Sequence, residues 1–172
     1  MELGRLTFVP ASDAPELVAE PVRPHLQDRL WISEIDPDLA DTAAFCEQYD
    51  IGLDVSANCV VVEARRAERT WHAACIVLAT TRADVNGIVR KHLGARKISF
   101  APMDTAVTLT GMEYGGITPV GLPADWPLLV DVKVVEQQRV IIGSGMRGSK
   151  ILAATSVLAS LPNVEVLAIT KH

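Results

Sequence analysis

The sequence lacks the features of several specialised protein classes. Aromatic residues make up only 5% of its 172 positions, and no apolar run approaches the roughly 20 residues that cross a bilayer. The N-terminus has no basic segment followed by an apolar one, as a secretory signal would. We therefore expect a cytoplasmic protein with no membrane partner.

Cysteine and histidine are also scarce, and their spacing matches no ligand pattern. The three cysteines form no CxxC pair, and the four histidines form no HExxH or similar motif. We expect reduced, structural thiols and no metal. The residues concerned are Cys46, Cys59, Cys75, His25, His72, His92 and His172.

Positive charge is in deficit overall but is concentrated in one part of the chain. The net charge of −5 argues against a generic binder of DNA or anionic membranes. Residues 1–54 hold 12 acidic and 3 basic residues, whereas residues 55–172 hold 9 acidic and 13 basic ones. An anionic ligand should meet the second part. Arg90, Lys91 and Lys97 could hold phosphates there, or form a solvated face beside a helix C-terminus.

The hydrophobic pattern predicts one mixed α/β domain. With 49% hydrophobic and 22% charged residues the composition is globular, and four prolines in residues 1–30 indicate an N-terminal extension packed on a domain of residues 31–172. The predicted strands are 30–35, 59–63 and 71–78 as a hairpin, 98–100, an irregular 117–122, 128–131, 140–142 and 164–169. The predicted helices are one opened by Asp36 and Pro37 and running to Cys46, and others at 83–93, 103–109 and 151–161.

Two stretches carry more glycine than packing requires. Thr110–Leu122 contains four glycines and Ile142–Lys150 contains three, the latter directly after an apolar strand. Glycine lets backbone N–H groups approach a ligand, so these loops could form an anion or oxyanion pocket. They could equally be tight turns.

Four segments taken together resemble the YbaK-like, prolyl-tRNA-synthetase-associated editing domains. The similarity runs from about residue 31 to 170 in the same order and spacing. The segments are HLGARKISFAPMD (92–104), Thr110-Gly111, the GGITP loop (115–119) and the GSGMRG loop (143–148).

This resemblance implies a barrel-like mixed β-sheet surrounded by helices, and hydrolysis of the ester that joins a wrong amino acid to tRNA. In such domains the glycine of a GxxxP loop, here Gly115, lines the pocket for the aminoacyl carbonyl, where backbone N–H groups can stabilise an oxyanion. No Ser-His-Asp arrangement is evident, so we expect no covalent intermediate. The other expected substrate-binding residues are Gly116, Ile117, Thr118, Pro119, Met112, Tyr114, Gly143, Ser144, Gly145 and Arg147. Of these, Met112 and Tyr114 could instead belong to the core, and Thr118 and Ser144 could be ordinary turn residues.

The sequence departs from the family pattern at two positions. Asn58 stands where family members commonly carry a lysine, and Lys150 stands where some carry an acid. Lys150 could extend into the volume of the lost lysine while Asn58 supplies amide hydrogen bonds, which makes Gly115, Lys150 and Asn58 the candidate catalytic set. Alternatively, Lys150 binds tRNA phosphate or caps its loop.

We therefore expect a free-standing, cofactor-independent deacylase of mischarged tRNA carrying a small amino acid, possibly on the proline tRNA. Its partners would be the tRNA acceptor end, held by Arg90, Lys91 and Lys97, and possibly a synthetase. The alternative is a binding module for tRNA or a synthetase that lost activity with the family lysine. A weaker third alternative is an unrelated small-molecule hydrolase that uses the same pocket.

Overall fold

Two larger β-sheets hold most of the strands in residues 1–171, the part of the chain that this computed structural model describes. The strands are β1 Glu2–Leu3, β2 Leu6–Thr7, β3 Val9–Pro10, β4 Leu30–Glu34, β5 Ala57–Arg66, β6 Arg69–Leu78, β7 Arg82–Ala83, β8 Lys97–Phe100, β9 Leu128–Asp131, β10 Arg139–Gly143, β11 Ser149–Ala154, β12 Val164–Leu167 and β13 Thr170–Lys171. The α-helices are α1 Thr42–Tyr49, α2 Arg90–His92, α3 Met103–Thr110, α4 Val132–Val135 and α5 Thr155–Leu158. A π-helical turn at Val85–Val89 leads into α2, and short 3-10 helices lie at Ala11–Asp13, Pro15–Leu17, Glu20–His25, Pro37–Leu39 and Leu53–Val55.

The sheets confirm the mixed α/β fold. One has the order β12-β9-β6-β5-β8, in which β9 runs parallel to both β6 and β12 and the other pairs are antiparallel. The other has the order β10-β11-β4-β3 and is antiparallel throughout. A parallel bridge between Ser56 and Ile141 joins the two sheets at the start of β5.

The apolar side chains of these strands bury two cores that flank the site described below. The larger core lies between the sheets and includes Ile32, Ile76 and Ile151. A second core packs Phe45 and Cys46 of α1 onto Ile141 and Leu152 of the four-stranded sheet. Alternation along β10 and β11 therefore sends every second side chain toward α1.

The first thirty residues contribute directly to this packing. β3 pairs with β4, and Ala11, Val18 and Val22 are fully buried in the larger core. The backbone N–H of Ala19 donates to the carbonyl of Ser144 at 3.1 Å. The segment thus supports the second glycine-rich loop from behind.

Most predicted elements are present, among them the β5–β6 hairpin and helix α3, which ends at Gly111 with φ +68°. The predicted helix over 151–161 is wrong, because residues 149–154 form the central strand β11 and only Thr155–Leu158 is helical. Every residue of β11 is buried, and such a strand shows no alternation to distinguish it from a buried helix.

Two further predictions need correction. The irregular strand at 117–122 is wrong, because this segment is a loop that contains Pro119 and a Gly121 at φ +89°. The helix opened by Asp36 is divided: the Asp36 carboxylate caps the 3-10 turn Pro37–Leu39, and α1 begins separately at Thr42. No helix among the described residues is long and apolar enough to cross a membrane.

Candidate active site

A cavity of about 420 Å³ opens where the start of β5, the end of β10 and the N-terminus of α1 meet the first glycine-rich loop. Its walls combine an apolar surface with a few polar groups, as ligand sites usually do. The residues that matter below are Asp41, Thr42, Phe45, Ser56, Asn58, Cys59, Phe100, Tyr114, Gly115, Ile117, Gly143 and Lys150. All three candidate catalytic residues, Asn58, Gly115 and Lys150, are among them.

Strand register brings Asn58 and Lys150 to the same face. Gly143 of β10 is the pairing partner of Lys150 on β11. The parallel bridge between Ser56 and Ile141 lies two residues before Asn58 and Gly143, which places these two at the same level. Residues paired across neighbouring strands point to one face, and glycine at 143 lets the backbone of Gly116 and Ile117 approach closely between the two longer side chains.

Lys150 is a largely buried residue without a counter-ion among the described residues. The residue is 7% exposed, and Nζ lies 5.2 Å from the centre of the Phe45 ring. Among residues 1–171 it makes no hydrogen bond and no ion pair within 4.0 Å. Burial lowers the pKa of Lys150 and nearby Arg147 acts in the same direction, whereas Cys46 and Asp41 oppose the shift.

The amide of Asn58 has a defined orientation. The hydroxyl of Thr42, the first residue of α1, donates to Asn58 Oδ1 at 2.6 Å. Since Oδ1 accepts this bond, the amide N–H₂ group remains as the donor that Asn58 can offer to a ligand. The orientation follows from the hydrogen-bond network.

The two glycine-rich loops pack backbone against backbone. Gly145 N–H donates to the Gly116 carbonyl at 2.7 Å, and Glu113 N–H donates to the Gly145 carbonyl at 2.9 Å. A Cβ atom on Gly143 would lie 2.7 Å from the Ile117 carbonyl oxygen, and one on Gly116 would lie 2.8 Å from the Met146 carbonyl carbon. Any side chain at either position would separate the loops.

Two backbone N–H groups at the cavity have no acceptor within the described part of the chain. Gly116 N–H donates to the Glu113 carbonyl at 3.0 Å, whereas no acceptor among residues 1–171 receives a bond from the N–H of Gly115 or Ile117. Gly115 and Ile117 both line the cavity, and Gly115 has φ +88°, a conformation that favours glycine. Such free N–H groups are the donors an oxyanion requires.

Arg147 lies beside the cavity mouth rather than in its wall. Its backbone N–H donates to Glu113 Oε1 at 2.8 Å, and its Nη1 donates to the Tyr114 carbonyl at 3.3 Å. Nη1 also lies 3.6 Å from Asp41 Oδ1. The guanidinium thus spans from the glycine loop to the start of α1.

Several predicted substrate-binding residues lie outside the cavity wall. Met112 is a core residue with 2% exposure, and Pro119 and Gly145 are buried. Ser144 is buried and its hydroxyl donates to the Met146 carbonyl at 3.0 Å, which supports the loop. Thr118 is fully buried, and its hydroxyl is without a hydrogen-bond partner among the described residues.

The predicted tRNA-binding cations lie on α2 and at the start of β8. Lys97 is exposed at the start of β8, the strand whose last residue, Phe100, lines the cavity. With a rise of about 3.3 Å per residue, the two positions are roughly 10 Å apart. Lys91 is exposed on α2, and half-buried Arg90 donates to the Asn86 carbonyl at 2.9 Å.

The sequence prediction missed Asp41, Thr42 and Phe45, which α1 brings to the cavity. Asp41 occupies the N-cap position of α1, so the only local signal was one of helix capping. Their place at the site depends on how α1 packs against the four-stranded sheet. Nothing in their own sequence neighbourhood encodes that.

The cavity wall offers no activated nucleophile. Cys59 is among the residues that line the cavity, but desolvation and, to a smaller extent, Cys75 raise the pKa of its thiol, which keeps it protonated. The Ser56 hydroxyl contacts Cys46 Sγ at 3.3 Å, and no histidine is present among the described lining residues. Such a site suits attack by an external nucleophile better than a covalent intermediate.

Together, the fold and the cavity define a mixed α/β domain with a donor-rich cavity. The family model described as "Aminoacyl-tRNA editing domain" matches residues 36–161. The chain therefore belongs to the aminoacyl-tRNA editing domain family, which confirms the resemblance read from the sequence.

Solved structures agree with this fold. One, described as a candidate trans-editing enzyme for prolyl-tRNA synthetase, superimposes with a TM-score of 0.75 at 17% identity and covers 96% of this chain and 100% of its own. Another, a hypothetical protein, gives a TM-score of 0.73 at 20% identity and covers 86% of this chain and 93% of its own.

Proposed function

We propose that this protein is a trans-acting aminoacyl-tRNA deacylase, which hydrolyses the ester of a mischarged tRNA carrying a small amino acid. The observation that carries the proposal is the convergence of Asn58, Gly115 and Lys150 on one cavity. The proline tRNA is the first candidate substrate, because a structurally similar protein is described as a trans-editing enzyme for prolyl-tRNA synthetase.

In this proposal the aminoacyl carbonyl lies against the glycine loop. The N–H groups of Gly115 and Ile117 are free to donate to the carbonyl oxygen as negative charge develops on it. The Asn58 amide and the Lys150 ammonium face the same cavity, where low dielectric strengthens their effect on that charge. Lys150 thereby supplies the positive charge of the lysine that is absent at position 58.

The reaction needs no bond to the protein. A water molecule, positioned by the loop or by the neighbouring ribose hydroxyl of the substrate, adds to the carbonyl carbon, and the bond from that carbon to the ribose oxygen then breaks. One proton of the water passes to the released ribose oxygen, the other passes to solvent, and the amino acid leaves as its carboxylate. The protonated Cys59 thiol and the hydrogen-bonded Ser56 support this non-covalent route.

The exposed cations provide a path for the tRNA backbone. Lys97 and Phe100 belong to the same strand, so phosphates bound along Lys91 and Lys97 would run toward the cavity mouth. Phe100 and Tyr114, 67% and 52% exposed, offer aromatic surface at that mouth.

The test is deacylation of a panel of mischarged tRNAs, including Ala- and Cys-tRNA of the proline type and Ser- and Thr-charged non-cognates. Wild type should release amino acid from at least one, and both Lys150→Ala and Gly115→Ala should lower that rate. If no ester were cleaved while tRNA still bound, the enzyme proposal would be wrong and the loss of the family lysine would mark a binding module.

A further inference from the structure

Among the described residues that line the cavity, only Asp41 and Lys150 are charged. An aminoacyl ester on tRNA brings a complementary pair of charges: an α-ammonium on the acyl group and a phosphate on the terminal nucleotide. Building on the proposed function, we propose that the Asp41 carboxylate binds the α-ammonium, so that the site selects esters with a free amino group.

The Asp41 carboxylate does not cap α1, although its position at the start of the helix would allow it. Asp41 occupies the N-cap of α1, yet its side chain accepts no hydrogen bond from the helix N–H groups, although capping is the usual role of aspartate there. The side chain is 78% exposed, and Oδ1 lies 3.6 Å from Arg147 Nη1. This distance is too long for a hydrogen bond.

The same carboxylate lies close to the carbonyl-binding glycine. A Cβ atom built on Gly115 would meet Arg147 Nη1 first, and Asp41 Oδ1 would be 3.6 Å away. In an aminoacyl group the amino nitrogen is about 2.5 Å from the carbonyl carbon. A carbonyl held by the Gly115 N–H therefore leaves the ammonium within reach of Asp41, where it would exchange with Arg147 Nη1 as the neighbour of that carboxylate.

The competing explanation is that Asp41 only anchors Arg147. In that case its loss would shift the Arg147 guanidinium, which also bonds the Tyr114 carbonyl, and would slow every ester alike. A role in binding the ammonium predicts a loss confined to substrates that carry one. The ratio of rates for two substrates therefore separates the explanations.

The experiment compares kcat/KM for Ala-tRNA with that for lactyl-tRNA, in which a hydroxyl replaces the amino group on the same tRNA. After each rate is divided by the rate of the same ester in buffer, wild type should prefer Ala-tRNA by about tenfold, the usual worth of a charge-assisted hydrogen bond, and Asp41→Asn should bring that preference close to unity. Asp38→Asn, which removes an exposed carboxylate from the preceding 3-10 turn, should keep the wild-type preference.

The outcomes are distinct. No preference in wild type, or an unchanged preference in Asp41→Asn, would overturn the ammonium assignment and leave the deacylase proposal intact. If wild type cleaved neither of these tRNAs and no other ester of the panel, the proposed function on which the assignment rests would instead be overturned.

Discussion

Replacing Gly143 with alanine should damage the site through the loop that packs on it. The new Cβ would lie 2.7 Å from the Ile117 carbonyl oxygen and 2.9 Å from the Gly116 carbonyl carbon, whereas ordinary contacts begin at 3.4 Å. The Gly116 carbonyl oxygen would be closer still, and all three neighbours are backbone, so the 116–117 segment must move by about 1 Å. A misplacement approaching 1 Å at a reacting centre costs on the order of 100-fold in rate.

The assay is kcat/KM for ester hydrolysis of a mischarged tRNA, with Gly148→Ala as the matched control. Gly148 belongs to the same loop, but a Cβ there would have its nearest neighbour, Pro37 Cγ, at 3.9 Å, and its φ is not in the left-handed region. We expect a loss of roughly 10- to 100-fold for Gly143→Ala and near-wild-type activity for Gly148→Ala. Equal activities in two folded variants, checked by circular dichroism, would refute the reasoning.

Three further predictions concern charge and packing. Because burial lowers the pKa of Lys150, the unfolded chain holds that proton at pH values where the folded one has lost it, so the unfolding free energy should rise with pH up to the unfolded-state pKa. Lys150→Met should abolish this rise and be more stable than wild type at neutral pH in urea titrations, and exposed Lys91→Met should do neither. Lys97→Ala should weaken tRNA binding and reduce its salt-dependence slope by about 0.7–0.9, whereas exposed Arg29→Ala should leave both unchanged. Ser149→Ala removes the hydroxyl that bonds the Leu17 carbonyl and Ser144 Oγ, each at 2.6 Å, and should lower the unfolding free energy by about 1–3 kcal/mol, while exposed Ser156→Ala should not.

Sequence patterns correctly predicted the elements that depend mainly on residues close together in the chain. The β5–β6 hairpin consists of two apolar runs joined by a charged turn, and α3 ends at a glycine with positive φ. Both elements could therefore be predicted from the sequence. The apolar part of β11, Ile151–Ala154, was mistaken for a helix, because its burial on both faces depends on neighbours that come from β4 and β10.

The site was also predicted only in part: its motif residues were identified from the sequence, but their proximity in the fold was not. Gly115, Asn58 and Lys150 were identified because each stands in, or departs from, a motif of the family. Their meeting in one cavity depends on the Ser56–Ile141 bridge between two sheets, a long-range contact that no motif encodes. Asp41 was missed for the same reason, since its closeness to Gly115 arises only in the packed structure.

The most direct test of the central claim is a single-turnover measurement with wild-type protein in excess over Ala-charged proline tRNA, compared with the same tRNA in buffer. The account predicts ester loss at least about 100-fold faster than in buffer, the scale of one preorganised oxyanion donor, with a rate that saturates as protein is raised. A rate equal to that in buffer for this and every other mischarged tRNA, at protein concentrations that saturate tRNA binding, would contradict it.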